Sequence, residues 1–214
     1  MKSITLLMTL MILLTAFSLS AQTNVGISAG ASFSNITVKA AGVSASPKSK
    51  TGITVGIAID APLSSNFSFQ PALNFIQKGY KIEDQGSKET VNLNYLEVPF
   101  NFVYSTRKNE GFFIGAGPSL AYGISGKDKF TSDGMPDDNQ KVKFGSSGDE
   151  VKTFDFGVNA LAGYKMKGGF MISANYNLSL SKINNDDGSG DGSTIKNKYF
   201  SIKIGYFFGG HAHK

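Results

Sequence analysis

From residue 24 onward the chain alternates apolar and polar positions with a period of two, eight times over. That period belongs to strands with two unlike faces. The first segment, 24–34, sets Val25, Ile27, Ala29, Ala31 and Phe33 against Gly26, Ser28, Gly30, Ser32 and Ser34. Segments 51–62 and 66–81 follow, then 92–104, where Leu96, Val98, Phe100, Phe102 and Tyr104 oppose Glu97, Pro99 and Asn101. Segments 111–125, 152–166, 169–182 and 197–208 complete the set. No stretch beyond the first 21 residues sustains a helical period.

The connections alternate too: 63–65, 106–110 and 167–168 are short, while 35–50, 82–91, 126–151 and 183–196 are long and polar. An even number of strands with short turns at one end and long loops at the other is the layout of an outer-membrane barrel. The expected fold is therefore all-β, an eight-stranded antiparallel up-and-down transmembrane β-barrel in which strand eight closes on strand one. Roughly ten residues per strand, at about 3.3 Å each and tilted about 40°, span on the order of 25 Å, the height of the apolar band. The apolar face looks outward to lipid and the Gly-rich polar face inward. Aromatic residues near strand ends, Phe67, Tyr104, Phe112, Tyr122, Phe154, Tyr164, Phe170 and Phe208, fit interfacial girdles. A soluble barrel or sandwich needs the opposite orientation.

Residues 1–21 have the form of a cleavable secretory signal peptide: Lys2, an apolar stretch from Ile4 to Phe17, then Ser18, Ser20 and Ala21. Cleavage is expected before Gln22, leaving a barrel over 22–208 and a short tail, 209–214. The apolar stretch, interrupted by Thr5, Thr9 and Thr15, falls short of the roughly 20 predominantly apolar residues of a membrane-spanning helix.

Composition agrees. Charged residues make up 17%, below the roughly 25% usual in soluble domains, and 25 Gly and 17 Phe suit neither a disordered chain nor a coiled coil. The absence of cysteine rules out disulfides, thiolate metal sites and acylation of an N-terminal Cys. The net charge of +5, which becomes +4 without Lys2, is too mild to suggest nucleic acid.

The run Tyr95-Leu96-Glu97-Val98-Pro99-Phe100-Asn101-Phe102 resembles the PorT-like outer-membrane β-barrel domain family, a porin-family group of small OmpA/OmpX-type barrels of Gram-negative bacteria. The resemblance continues through Gly115-Ala116-Gly117-Pro118, Phe154-Asp155-Phe156-Gly157, Gly163-Tyr164-Lys165 and Ile204-Gly205-Tyr206-Phe207-Phe208, covering nearly the whole mature chain. It implies an eight-stranded outer-membrane barrel, with functions that range from uncharacterised surface proteins to a secretion-system factor. It also implies dependence on the barrel-assembly machinery. Gly209 to Lys214 follow the last strand, so Phe208 rather than the final residue is the expected assembly signal.

Candidate chemistry is sparse. His211 and His213, the two histidines, lie in the tail after strand eight, away from any fixed carboxylate or serine partner, so neither catalysis nor metal binding is expected. Asp133, Asp137, Asp138, Asp186, Asp187 and Asp191 invite a calcium reading. An EF-hand loop begun at Asn184, however, would place Gly188 at a ligand position and Ile195 where the bidentate Glu belongs, so a hydrated loop is expected instead. Gly115-Ala116-Gly117 lies in a strand and lacks the third glycine of a dinucleotide fingerprint.

Interior charges say more. On the polar faces Lys78 and Asp155 should lie near the long-loop end, Glu97 and Lys203 near mid-height, and Asp60 and Lys165 near the short-turn end. Each level carries both signs, and in so narrow a barrel the expectation is ion pairing that plugs the lumen.

The sequence thus points to a non-enzymatic outer-membrane barrel, without cofactor or metal, that rigidly displays four mobile polar loops. A small-solute pore or an accessory factor in secretion or envelope assembly are the alternatives. The expected partners are outer-membrane lipid, the barrel-assembly machinery during biogenesis, and an extracellular or envelope protein engaged through the long loops. The barrel is expected to be a monomer.

Overall fold

Each of the eight alternating segments is a strand in the computed structural model, which describes residues 23–40, 43–84, 86–107, 110–132, 136–147, 150–185 and 193–208. The expected signal peptide, the tail 209–214 with His211 and His213, and Asp133, Asp186, Asp187 and Asp191 lie outside the described residues. The strands are β1 (Asn24–Ala40), β2 (Lys48–Pro62), β3 (Phe67–Asp84), β4 (Ser87–Ser105), β5 (Gly111–Ser132), β6 (Phe154–Lys165), β7 (Phe170–Ser179) and β8 (Thr194–Phe208). Each pairs antiparallel with the next, and β8 pairs with β1 from Val25↔Phe208 to Lys39↔Thr194. The sheet is therefore a closed ring. Closure leaves no edge of unpaired amides, which a hydrocarbon environment would penalise by several kcal/mol per group.

Following hydrogen-bonded partners from Glu97 through Asn74, Gly56, Ser28, Gly205 and Met171 leads to Lys165. Going the other way, through Ala121, leads to Asp155 on the same strand, ten residues from Lys165. The rows climb around the barrel, as tilted strands require, and eight strands enclose a lumen just wide enough for side chains.

Apolar side chains point outward: Val25, Ile53, Phe102, Ile114, Phe156 and Ile204 are exposed, while Ser32, Thr54, Asn101, Ser119, Asn177 and Ser201 are buried inside. Aromatic pairs edge this belt. Near the short turns Phe67 meets Tyr104 at 5.1 Å and Phe112 meets Tyr164 at 4.9 Å; toward the long loops Tyr122 meets Phe154 at 5.4 Å and Phe33 meets Phe200 at 6.4 Å. Phe112 and Tyr122 are ten residues apart on β5, which at the usual rise and tilt is on the order of 25 Å. No helix among the described residues is long and apolar enough to cross a membrane; the apolar belt is made of strands.

The long connections differ from expectation. Residues 82–91, expected as a polar loop, are the tip of a hairpin in which β3 and β4 stay paired up to Asp84↔Ser87, with Gly86 at φ +83° in the turn. β1 continues to Ala40 and pairs with a short strand, Val43–Ala45. β5 continues to Ser132, and Asp138–Val142 returns along it. A two-residue parallel contact joins Phe144–Gly145 to Val151–Lys152. The strands thus rise well beyond the apolar belt, where the alternation continues but the apolar residues occupy the inner face. Val91, Leu93 and Tyr95 turn inward, packing with Ile36, Ile76, Ala121, Ile183 and Tyr199 into a small apolar core above the lumen.

Candidate functional site in the barrel lumen

Period two decides which side chains enter the lumen, and neighbouring strands decide which of them meet. Lys78 on β3 enters just beneath the apolar core and is 1% exposed. Its ammonium lies 3.1 Å from Glu97 Oε2 on β4 and 3.2 Å from Asp155 Oδ2 on β6. It also sits 4.9 Å from the centre of the Tyr95 ring and 5.3 Å from that of Tyr199. The second oxygen of Glu97 accepts from the Tyr199 hydroxyl on β8, and Asp155 Oδ2 accepts from Asn197 Nδ2 at 2.9 Å. One cation on β3 thus ties together two carboxylates and two aromatic faces from three other strands across the lumen. Buried charges persist when paired and hydrogen-bonded in this way, because removing one partner leaves its mate uncompensated.

At the short-turn end Lys165 Nζ approaches Asp60 Oδ2 at 3.6 Å, and Gln70 Nε2 donates to Asp60 Oδ1 at 2.9 Å. Lys165 also stands 5.4 Å from the centre of the Phe207 ring. Between the two charged layers, amides and hydroxyls bridge the walls: Asn159 Nδ2 donates to Asn101 Oδ1 at 2.9 Å and Asn177 Nδ2 to Ser119 Oγ at 2.7 Å. Gly56 makes room here, since a Cβ would lie 2.0 Å from Asn74 Oδ1. A cavity of about 50 Å³ remains in this middle layer, lined by Asn74, Asn101, Asn159, Asn175, Tyr199 and Lys203 among others.

All six charges expected in the lumen, Asp60, Lys78, Glu97, Asp155, Lys165 and Lys203, are buried there. Lys78 meets Asp155 and Lys165 meets Asp60. The expected match between Glu97 and Lys203 is not made: Glu97 pairs with Lys78, and among the described residues no carboxylate oxygen lies within 4 Å of Lys203 Nζ. Glu97 stands eight residues from the end of β4, whereas Lys203 stands five from the end of β8. Three residues along a tilted strand are roughly 7 Å of height, and the long Lys78 side chain reaches Glu97 from above instead.

The expectation left out Tyr95, Asn197 and Tyr199, the remaining members of the upper layer. Their signal was present, because each lies an even number of residues from a charged interior position on its own strand, Glu97 or Lys203. Asp138 opens the strand 138–142 that pairs with β5, and Asp137 just before it lies 2.6 Å from Lys129. Among the described residues no group of three or more His, Cys, Asp or Glu is arranged to hold a metal ion.

Residues 19–185 match the family described as outer membrane protein beta-barrel domain. No curated protein matches the sequence. Among solved structures, the chain is similar to Ail, the attachment invasion locus protein of Yersinia pestis, at 18% identity and a TM-score of 0.48, covering 87% of this chain and 99% of that one. It is similar to Neisserial surface protein A at 11% identity and 0.45, covering 85% and 96%. It is also similar to the outer membrane protease OmpT of Escherichia coli at 13% identity and 0.35, covering 88% and 97%.

Proposed function

The chain belongs to the outer membrane protein beta-barrel domain family, and from that premise we propose that it is a closed, non-enzymatic barrel, a monomer, whose role is to hold extracellular β-hairpins rigidly above the membrane. The observation that carries this reading is the filling of the lumen. The Lys78–Glu97–Asp155 layer lies across it under an apolar core, and the Lys165–Asp60 pair lies across its other end. Open aqueous channels belong to barrels of 16 to 18 strands, whereas the interior of eight strands is filled by side chains or holds at most one small ligand. The outward belt contacts outer-membrane lipid, and the barrel-assembly machinery inserts it. The presented surfaces are the β3–β4 hairpin, braced by Lys48–Glu83 at 2.6 Å, and the sheet of β5 with residues 138–142, braced by Lys129–Asp137 at 2.6 Å. An extracellular or envelope protein would dock there.

Within the family we place the chain in the PorT-like group. Tyr95, Glu97 and Pro99 of the motif that carries this resemblance face the lumen, so the motif specifies interior packing. A part in secretion or envelope assembly would have to be played by the hairpins. Single-channel conductance in a planar bilayer, beside a heat-modifiability gel that reports barrel folding, tests the reading. A folded, silent barrel is expected; steady conductance steps from folded protein would overturn it and make the lumen charges the lining of a pore.

A further inference from the structure

Lys203 is the one described lumen lysine at mid-height, and its situation differs from that of Lys78 and Lys165. It is 7% exposed, yet no carboxylate oxygen among the described residues lies within 4 Å of its ammonium. Glu97 cannot turn to it, because one of its oxygens is held by Lys78 and the other by the Tyr199 hydroxyl. Lys203 lines the cavity of about 50 Å³, and a site with roughly 10–15 Å³ of such space already holds one water. Amide donors line the same space: Asn101 accepts from Asn159 through Oδ1, which leaves its own NH2 group facing no acceptor among the described residues, and Asn74 makes no side-chain hydrogen bond among them. An unpaired buried cation is costly, and neutral donors around it cannot supply the missing negative charge.

We propose that this cavity is a binding site for a small monovalent inorganic anion of halide size, held by Lys203 Nζ and the side-chain amides of Asn74 and Asn101. The volume admits an ion little larger than water with two or three waters beside it. A single ammonium without a carboxylate in contact matches a single negative charge. The anion completes the middle layer of the lumen as Glu97 and Asp155 complete the upper one and Asp60 the lower, so Lys203, like Lys78 and Lys165, gains a counter-charge at its own height. This rests on the closed-barrel reading, since an open pore would hydrate Lys203 with bulk water.

Crystals of the protein folded in sodium bromide test it directly, with an anomalous peak within hydrogen-bonding distance of Lys203 Nζ as the expected result. In parallel, the heat-modifiability midpoint is followed at constant ionic strength as chloride replaces gluconate, which is too large for the cavity. At an anion concentration ten times Kd a saturable rise of roughly 3–6 °C is expected, lost in Lys203→Met and kept in Lys165→Met. Water density without a bromide peak, bromide confined to the surface, or an equal chloride response in Lys203→Met would each overturn the site. The bromide peak stands on unmodified protein, so a variant that fails to fold does not blunt the test. A silent barrel without a bromide peak would overturn the site alone, whereas conductance steps would overturn the closed-barrel reading and the site with it.

Discussion

Below the level of Tyr122, Phe154, Phe33 and Phe200 the barrel is apolar outside and polar within; above it the same strands carry Val91, Leu93 and Ile36 inside and Thr90, Lys127 and Lys129 outside. The β3–β4 ladder keeps one register through both halves, and the β4–β5 ladder continues across them with a single shift between Asn94 and Tyr95. What changes is the solvent. Lipid rewards apolar groups on the outer wall and leaves the lumen to polar groups, whereas water above the membrane restores the ordinary rule of an apolar interior. Two kinds of core therefore stack on one axis, held together by charge-assisted hydrogen bonds below and by apolar burial above. They should fail differently when struck.

The largest effect is expected from Lys78→Met, which leaves Glu97 and Asp155 buried beside each other without their cation. Breaking such a pair costs about 3–5 kcal/mol, and the loss should appear globally, as a lower heat-modifiability midpoint and a lower urea midpoint. The triple variant Lys78→Met, Glu97→Gln, Asp155→Asn should recover much of it, since no charge is then left stranded. Equal losses in the single and triple variants would mean that the layer acts through shape alone.

In the upper core, Leu93 is 1% exposed among Ile76, Tyr95 and Ile36. Leu93→Ala should cost about 2–5 kcal/mol, but locally. Hydrogen exchange should rise in the β3–β4 extension while the barrel keeps its heat-modifiable band. A barrel that melts as a whole with this variant would show that the two cores are one cooperative unit. On the outer wall Ile204 lies midway between Phe200 and Phe208 on the lipid-facing side of β8. Ile204→Arg should cost about 2–4 kcal/mol there, whereas Thr90→Arg, outside on the extension, should leave folding yield unchanged.

The same inversion explains how much could be read from residue order. The lipid-level strands were legible because alternation is strict there, and parity alone carried Asp60, Lys78, Glu97, Asp155, Lys165 and Lys203 into the lumen. The partner of Lys203 was not legible, because pairing depends on height, and a difference of three residues in distance from a strand end moved it out of reach of Glu97. The extensions were hidden for another reason. Between Tyr95 and Leu96 the apolar set changes from the inward to the outward register, so Val91 and Leu93 fall out of phase with Leu96, Phe100 and Phe102 although the strand is continuous. Two adjacent apolar residues inside an alternating strand are the trace of that change.

The smallest effect separates the two regions by pH. On the extension, burial first and then Asp128 hold the Glu89 carboxyl above its ordinary value of 4.5, and burial followed by Asp138 holds Asp128 above 3.8. Protonation is thus easier in the folded extension than in the unfolded chain, so these two groups favour folding as pH falls from neutral through their raised values. That gain is complete below the ordinary carboxylate range. Glu83 and Asp137 work in the opposite sense: hydrogen bonds from Lys48 and Lys129 hold them low, and their contribution is lost only as pH falls through those lowered values. Between neutral pH and the ordinary carboxylate values the extension should therefore tighten slightly, seen as slower hydrogen exchange once exchange rates are corrected for pH. Glu89→Gln with Asp128→Asn should remove that dependence and give the tightened state already at pH 7. Unchanged protection in the wild type over this range, or the same pH dependence in the double variant, would place the effect elsewhere than in these two carboxyls.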